Sequence, residues 1–389
     1  MRSGQVTFTR MERVHFGKPA AECIVDEAAR AGAERVFVLA SATLAKTTDA
    51  ITQLERALGP RFAGLWTDMP AHSPRDAVVR CSEAARAAGC DLLVTFGGGS
   101  VTDGGKAVTI CLEHGVRDVD DLDPFRTRID GEGNRLIPPF TSPRVRQVAV
   151  PTTLSGGEFN ARAGITDTRL PAKQSFENPG IVPVAVALDP AATVHTPEWL
   201  WLSTGMRAFD HAVETWCSLD ANAYTDGAAL QAIRLLAEGL PRTKRDPGDH
   251  DARLMCLMGA WISMTGVVTY VRMGASHAIG HVLGGTAGVP HGYTSCVMLP
   301  HVLRWNREVN GERQRAIAEA MGRGDGDAAA AVTELVESLG LPRKLHDVDV
   351  GPEKFDVIAE GAMHDSWTYS NPRPIAGPDD VRAILELAA

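Results

Sequence analysis

The chain has 389 residues, which at roughly 150 residues per domain predicts two or three domains. Hydrophobic residues make up 44% and charged residues 22% of the sequence, proportions that exclude disordered, coiled-coil and collagen-like chains. The formal net charge of −9 argues against a general affinity for nucleic acids or anionic membranes.

The sequence shows no pattern of export or membrane insertion. Its N-terminal segment has no apolar core and contains Glu12, unlike a secretory signal. No run of about 18 apolar residues appears, so we expect no transmembrane helix. The cysteines number seven, an odd count, and form no CxxC pair. We therefore expect free thiols and a cytoplasmic protein.

The N-terminal half alternates helix-like with strand-like segments. Apolar periodicity predicts helices over residues 20–31 and 74–88. Short apolar runs predict buried strands at residues 35–40, 91–96 and 147–150. Buried strands separated by helices are typical of a parallel sheet.

Residues 117–143 interrupt this alternation. They are rich in Asp, Arg, Gly and Pro and lack periodicity, which predicts a surface excursion. The alternative is a segment that shapes the rim of a pocket.

The C-terminal half is helical in pattern. Apolar residues at spacings of three and four predict helices over residues 228–240, 251–268 and 313–321. The predicted fold class is α/β: an N-terminal parallel-sheet domain over residues 1–190, followed by an all-helical domain over residues 191–389.

Three consecutive glycines follow the second predicted strand. Gly97, Gly98 and Gly99 lead through Ser100 into a helical segment, whose unpaired N–H groups and positive dipole end suit a phosphate. The alternative is a tight turn that needs positive φ. The sequence matches neither GxGxxG nor a GK[ST] phosphate loop.

The third predicted strand also ends in hydroxyl and glycine residues, in the segment PTTLSGGE. Thr152 and Thr153 follow the strand directly, at the end where ligands bind in open parallel sheets. Lys173 lies further along and either contacts a phosphate or ribose or is a solvated lysine.

Four of the twelve histidines form groups in the helical half. They are His211, His277, His281 and His291. The spacing of His277 and His281 puts both on one face of a helix. The alternatives are hydrogen-bonded core histidines, metal ligands or groups that transfer a proton, and the grouping favours the last two.

These motifs together resemble the iron-containing (group III) alcohol dehydrogenase family, and within it the maleylacetate reductase branch. The matching segments stand in the family's order: GGGS, PTTLSGGE, GMRAFDHAVE, HAIGHVLGG and NPRP. The compact PTT-x-x-G-x-E spacing and the NPRP segment resemble the maleylacetate branch in particular.

The resemblance implies a dinucleotide-binding N-terminal domain with NAD or NADP as cofactor. The implied cofactor-binding residues are Ser41, Gly97, Gly98, Gly99, Ser100, Asp103, Thr152, Thr153 and Lys173. Ser41 stands where a carboxylate favours NAD, so NADP stays open.

The resemblance also implies a metal site, from which this sequence departs. The family's three histidine ligands of iron or zinc match His211, His277 and His291, but Arg207 occupies the position of the Asp ligand. An arginine stays protonated and cannot bind a cation. This argues against a metal, although three imidazoles suffice for zinc in some enzymes.

Arg207 is expected to take over part of the metal's role. A desolvated guanidinium stabilises a developing alkoxide and pairs with a substrate carboxylate. The alternative is an ion pair with Asp210 or Glu214 on the same helix. His281 is the expected proton relay, and His277 is the third catalytic candidate.

The predicted function is an NAD(P)-dependent oxidoreductase that transfers hydride between nicotinamide and the carbonyl or alcohol of a small, carboxylate-bearing substrate. One alternative is a metal-dependent alcohol dehydrogenase acting on a small alcohol or aldehyde. The other is a degenerate nucleotide-binding redox sensor, against which the retained histidines argue. A homodimer is expected, while the substrate and the direction of the reaction stay open.

Overall fold

The structure is a computed structural model that describes residues 5–130, 135–170 and 172–389. Backbone contacts divide the chain into two compact units, Thr7–Thr196 and Pro197–Ala389. The first unit contains a parallel sheet with helices, and the second is built from helices. The predicted α/β fold class is confirmed.

The strands of the described chain are β1 (Arg13–Phe16), β2 (Val36–Ala40), β3 (Phe62–Trp66), β4 (Leu92–Gly97), β5 (Arg128–Ile129), β6 (Arg135–Leu136), β7 (Arg146–Pro151), β8 (Arg162–Asp167), β9 (Ala172–Glu177) and β10 (Ala185–Leu188). The α-helices of the first unit are α1 (Ala20–Ala31), α2 (Ala42–Thr47), α3 (Ala50–Leu58), α4 (Arg75–Ala87) and α5 (Gly99–His114). The α-helices of the second unit are α6 (Glu198–Cys217), α7 (Ala223–Arg245), α8 (His250–Ser263), α9 (Thr265–Val268), α10 (Ala275–Ala287), α11 (His291–Ala320), α12 (Ala328–Ser338), α13 (Phe355–Ala362) and α14 (Pro378–Leu387).

Among the described residues, six parallel strands form the main sheet in the order β1-β10-β7-β4-β2-β3. The three strands predicted from apolar runs are β2, β4 and β7, whose side chains are almost all buried. The prediction missed β1, β3 and β10. Strands β1 and β3 lie at the sheet edges and are partly exposed. The sequence of β1, RVHF, is mixed, whereas β3 (FAGLW) and buried β10 (AVAL) are short apolar runs that the prediction did not include.

The strand order reverses between β2 and β4. The chain leaves β2 for β3 on one side and returns to β4 on the other side. At the carboxyl ends of these two strands, Ser41 N donates a hydrogen bond to Phe96 O at 2.9 Å. Such a reversal opens a crevice where ligands bind in open parallel sheets, and it places Ser41 beside the three glycines.

The predicted helices are found with altered ends. Helix α1 covers the predicted residues and ends at Gly32, whose φ of 64° is left-handed. The prediction over residues 251–268 corresponds to α8 and α9, and residues 313–321 are only the last part of α11. That helix was underestimated because Asn310, with φ −133°, interrupts its regular geometry and its apolar spacing.

The predicted excursion over residues 117–143 has more local structure than expected. It contains a 3₁₀ turn at Asp120–Phe125 and the paired strands β5 and β6. Residues 131–134 lie outside the described part of the chain.

Two further expectations concern membranes and cysteines. Among the helices that the structure describes, none combines the length and apolar character that a membrane span requires. All seven cysteines lie among the described residues and are unpaired, and six of them are buried.

Helix α5 packs closely on the sheet at Gly105. A Cβ atom at Gly105 would lie 2.2 Å from Thr95 Cγ2 and 3.2 Å from Gln147 Nε2. Gln147 Nε2 itself donates to Thr95 Oγ1 at 2.6 Å, which fixes both side chains beneath the helix. The contact therefore leaves no room for a side chain at this position.

We predict that Gly105→Ala destabilises the protein. Overpacking costs about 1–3 kcal/mol, which outweighs the gain of about 1 kcal/mol in helix propensity. Urea denaturation measures the change in the free energy of unfolding. Gly104→Ala is the matched control, because its Cβ would meet only the flexible end of Met69, 2.9 Å from Cε. Equal destabilisation by both variants would contradict the prediction.

Candidate active site

The three glycines stand at the junction of β4 and α5, with Gly98 as the N-cap of the helix. The positive-φ interpretation of this turn is wrong: Gly98 has φ −83°, and Gly97 and Gly99 also lie outside the left-handed region. Limited space, rather than backbone conformation, disfavours a side chain here. A Cβ at Gly98 would lie 3.0 Å from Thr153 Cγ2, and one at Gly99 would lie 3.2 Å from Ser155 Oγ.

The segments that follow β4 and β7 therefore contact each other at the sheet's carboxyl edge. Thr152 N donates to Gly97 O at 3.0 Å, and Thr153 Oγ1 lies 3.4 Å from Ser155 Oγ. The start of a sixteen-residue helix adds N–H groups without an intrahelical partner. This edge is able to hold a phosphate, because hydroxyls and N–H groups offer hydrogen bonds and the glycines leave room for the ligand.

Ser100 anchors a neighbouring strained turn. Its Oγ accepts a hydrogen bond from His72 N at 3.0 Å, and its carbonyl accepts one from Ser73 Oγ at 2.7 Å. His72 and Ser73 both have positive φ, 64° and 48°, which costs free energy in residues other than glycine. No glycine or asparagine marks this turn in the sequence, so its positive φ values were not predicted.

Asp103 connects α5 to β8 and to Lys106. Its carboxylate accepts from Gly164 N at 3.1 Å and from Lys106 Nζ at 3.4 Å. A Cβ at Gly164 would lie 3.2 Å from Lys173 Nζ and 3.5 Å from Asp103 Oδ2, so Lys173 and Asp103 adjoin. The structure thus brings Lys173 to the group of sequence-predicted cofactor residues.

Lys106 and Glu158 are buried beside this group. Lys106 Nζ donates to Gly157 O at 2.5 Å and to Arg162 O at 2.7 Å, which holds the segment after β7 against α5. Burial raises the pKa of Glu158 to about 7, and the charge of Lys106 partly opposes this shift. No separate role was predicted for Lys106 or Glu158 from the sequence.

The four histidines singled out from the sequence come together from three helices of the second unit. His211 is on α6, His277 and His281 lie one turn apart on α10, and His291 is the first residue of α11. The ring centroids of His211 and His277 are 4.8 Å apart. Those of His281 and His291 are 5.8 Å apart, with the rings stacked at 14°.

Glu214 caps the start of α10 and orients His277. Its carboxylate accepts from Gly274 N at 3.0 Å, from Ser276 N at 2.9 Å and from His277 Nδ1 at 2.7 Å. His277 Nδ1 therefore carries the hydrogen. Burial lowers the pKa values of His277 and His211 well below the ordinary value, which keeps both imidazoles neutral.

The Arg207 guanidinium lies buried among these side chains. Its Nη1 donates to Ser295 Oγ at 3.2 Å, and its Nη2 lies 3.5 Å from His291 Nε2. Ser295 Oγ in turn donates to Asp210 Oδ2 at 2.7 Å. Among the described residues Arg207 forms no direct ion pair, so the alternative of a salt bridge to Asp210 or Glu214 is wrong.

These side chains fit a divalent metal only in part. Asp210 Oδ1, His211 Nδ1 and His277 Nε2 are buried without a hydrogen-bond partner among the described residues and could serve as ligands. The ligand atoms of Asp210, Glu214 and His277 lie within 4.8 Å of one another. However, Asp210 Oδ2 is occupied by two serine hydroxyls and Glu214 by backbone N–H groups. The guanidinium of Arg207 faces His291 Nε2, where a cation would be repelled.

His281 is more exposed than His277 and pairs with a carboxylate from a later segment of the chain. Its side chain is 37% exposed, and its Nδ1 lies 2.7 Å from Asp365 Oδ2. The indole of Trp367 lies over it at 5.3 Å. The sequence analysis missed Asp365 and Trp367, because they lie more than eighty positions away and no local pattern links them to His281.

Comparison with known proteins assigns the chain to a family. The model described as iron-containing alcohol dehydrogenase matches residues 11–190. The model of the C-terminal part of the Fe-containing alcohol dehydrogenase family matches residues 201–389. The chain therefore belongs to the iron-containing alcohol dehydrogenase family, whose members act as dehydrogenases and reductases. The resemblance stated from the motifs is confirmed.

Individual relatives match nearly the whole chain. Maleylacetate reductase 2 from Cupriavidus pinatubonensis is 33% identical and covers 97% of this chain and 94% of its own length. The 1,3-propanediol dehydrogenase of Klebsiella pneumoniae is 35% identical over 81% of each chain. The crystal structure of maleylacetate reductase from Rhizobium sp. strain MTP-10005 has a TM-score of 0.83 at 29% identity, covering 100% of this chain and 98% of that one.

We predict that Glu158 makes stability depend on pH. Its folded pKa of about 7 exceeds the ordinary 4.5, so above about pH 4.5 the unfolded chain loses the proton first. The free energy of unfolding then falls as pH rises from about 5 to 8, by roughly 1–3 kcal/mol from this group. Urea denaturation of wild type and Glu158→Gln at both pH values measures the difference.

The exposed Glu55→Gln serves as the control in the same unit and should leave the pH dependence unchanged. An identical pH dependence in wild type and Glu158→Gln would contradict the prediction.

Proposed function

We propose that this protein is an NAD(P)H-dependent reductase that acts on the carbonyl group of a small, carboxylate-bearing substrate, in the manner of the relatives named maleylacetate reductase. The observation that carries the proposal is the buried guanidinium of Arg207, whose Nη2 lies 3.5 Å from His291 Nε2. A fixed, desolvated cation at this place suits an anionic substrate better than a neutral alcohol.

The first unit supplies the cofactor site in this proposal. The glycine junction, Thr152 and Thr153 would hold the pyrophosphate, with Ser100, Asp103 and Lys173 beside it. The close contacts of Gly98 and Gly99 with the segment after β7 support this fit. Ser41 carries no carboxylate that would favour NADH over NADPH, so both cofactors are to be tested. When bound, the dinucleotide supplies the hydride.

Arg207 has the role of an electrophile. Reduction of a carbonyl places negative charge on oxygen, and a preorganised donor in a dry site stabilises that charge. Burial lowers the pKa of Arg207, which reflects the cost of desolvating its charge. Two successive hydrogen bonds, from Arg207 to Ser295 and from Ser295 to Asp210, hold the guanidinium in place without a direct ion pair.

His281 has the role of the proton donor, and His277 shapes the site beside it. Completion of the reaction requires one proton at the new alkoxide, and an imidazole supplies it near neutral pH. The side chain of His281 is 37% exposed and therefore accessible to a ligand, whereas that of His277 is 1% exposed. Buried His277 is held by Glu214 instead.

A metal-dependent alcohol dehydrogenase is the second candidate. It is favoured by two buried nitrogens, His211 Nδ1 and His277 Nε2, that have no hydrogen-bond partner among the described residues. It is also supported by the relative named 1,3-propanediol dehydrogenase. Arg207 in place of the acidic ligand argues against it.

The proposal includes a cytoplasmic homodimer. The unpaired state of the seven cysteines supports a reducing compartment. The family resemblance supports the dimer.

We predict that Arg207, rather than a metal, is required for turnover. Dialysis against a strong chelator should leave activity nearly unchanged. Arg207→Ala should lower kcat/KM by about 10²–10³-fold, the usual effect of losing one donor to a developing oxyanion. Arg207→Lys should recover only part, because an ammonium lacks the planar fork. Loss of NADH or NADPH absorbance with maleylacetate and small keto acids measures turnover.

The matched control is Arg272→Ala, an exposed arginine paired with Asp220 in the same unit, which should retain activity. Arg207→Asp rebuilds an acidic ligand four residues before His211 and should gain affinity for iron or zinc. If chelation abolishes wild-type activity and iron or zinc restores it, the alcohol dehydrogenase candidate replaces this proposal.

We predict that the glycine junction binds the dinucleotide. Gly98→Val would place a branched side chain against Thr153, because a Cβ atom at position 98 would already lie 3.0 Å from Thr153 Cγ2. Affinity for NADH and NADPH should fall at least about tenfold, roughly 1.4 kcal/mol, while the circular dichroism spectrum persists. Gly104→Ala, six residues further along the chain in α5, is the control with unchanged affinity. Wild-type affinity in Gly98→Val, measured by fluorescence titration, would exclude the junction as the cofactor site.

A further inference from the structure

We infer that Asp365 is a positioning residue for His281, which it holds in one orientation and one tautomer. The inference rests on the proposed role of His281 as proton donor. Asp365 accepts a hydrogen bond from Nδ1 at 2.7 Å, so Nε2 is the nitrogen left for proton transfer. The function proposed above assigns no role to Asp365.

The geometry fixes which nitrogen faces the carboxylate. A neutral imidazole carries one hydrogen, and its site is decided by the bond that the other nitrogen makes. A carboxylate accepts and does not donate, so Nδ1 carries the hydrogen in the neutral and in the protonated ring. The proton that leaves during turnover is therefore the one on Nε2, and Asp365 keeps the bond before and after transfer.

The turn that carries Asp365 is itself held in place. Asp365 Oδ1 accepts from Trp367 N at 2.9 Å, while Oδ2 faces His281. Thr368 Oγ1 donates to Ala362 O at 2.5 Å, which ties the turn to the end of α13. The carboxylate thus has a separate partner for each oxygen and little freedom to rotate.

Two aromatic rings complete the support of His281. The Trp367 indole lies 5.3 Å from the His281 ring and 5.7 Å from the His277 ring. His291 stacks on His281 at 14°. With a ring on either side and Nδ1 bonded, the partly exposed imidazole is restricted in its orientation, as efficient proton transfer requires.

A purely structural role of Asp365 would be to hold its own turn. The Asp365→Asn variant separates the two roles, because an amide oxygen still accepts from Trp367 N. The amide offers His281 either a weaker acceptor or a donor, and a donor would shift the hydrogen from Nδ1 to Nε2. The matched control is Asp325→Asn, since Asp325 makes the same turn with Asp327 N at 3.1 Å and contacts no histidine.

The test combines a mutant cycle with a spectroscopic signature. Asp365→Asn should lower kcat about 10–100-fold with KM changed less than about twofold. His281→Ala should lower kcat about 100-fold, and Asp365→Asn should add less than about twofold in that background.

Long-range ¹H–¹⁵N spectra of labelled histidine, with His281 assigned from His281→Ala, should show the Nδ1–H tautomer in wild type and its loss in Asp365→Asn. Asp325→Asn should match wild type throughout.

The outcomes separate this inference from the proposed function. If His281→Ala lowers turnover but Asp365→Asn changes neither kcat nor the tautomer, the positioning role is wrong and the proposed function stands. Equal losses from Asp365→Asn with and without His281 would also overturn it, since Asp365 would then act elsewhere. If His281→Ala retains full turnover, the assigned proton donor and this inference both fail.

Discussion

The Glu214 carboxylate at the start of α10 is the interaction on which the histidine cluster depends. A buried carboxylate is costly unless its oxygens are fully hydrogen-bonded. Glu214 meets this condition by accepting from three backbone N–H groups and from His277 Nδ1. Helix α6 is thereby joined to the first turn of α10, and the positions of the histidines on both helices follow from that junction.

Charge is distributed unequally around this junction. The buried imidazoles of His211 and His277 are neutral because burial disfavours their protonated forms. Asp210 is also affected, since burial and the nearby Glu214 raise its pKa to about 8. Arg207 is consequently the permanent cation of the cluster, and Asp210, Glu214 and Asp365 attract its charge without direct contact. An anion that comes directly next to the guanidinium is stabilised.

Much of the fold follows from local sequence patterns, and the parts that do not have identifiable causes. Strands β2, β4 and β7 were predicted because both faces are buried and each contains a mainly apolar run. Edge strand β1 has a mixed composition that reveals no strand, while the short apolar run of β3 was not recognised. Helix α11 is kinked at Asn310, and the predicted helix over residues 313–321 corresponds to the part that follows the kink.

The candidate site was predictable where a motif is contiguous. The glycine junction, Arg207 and the histidines were all found, because residues four apart on a helix share a face. Asp365 was missed because its contact with His281 is made by the tertiary fold. The reason for the glycines was also not available from the sequence: only the structure shows that Thr153 and Ser155, rather than a left-handed backbone, exclude a side chain.

The hydroxyl group of Ser100 is oriented by a neighbouring segment of backbone. Its oxygen accepts from His72 N through one lone pair, so its single hydrogen points away from that bond while the second lone pair stays open. The hydrogen can be donated to a ligand that brings a lone pair or a negative charge. The strained turn at His72 and Ser73 thus limits the directions in which this hydroxyl donates, so that the conformation of one loop sets the aim of a side chain on a helix.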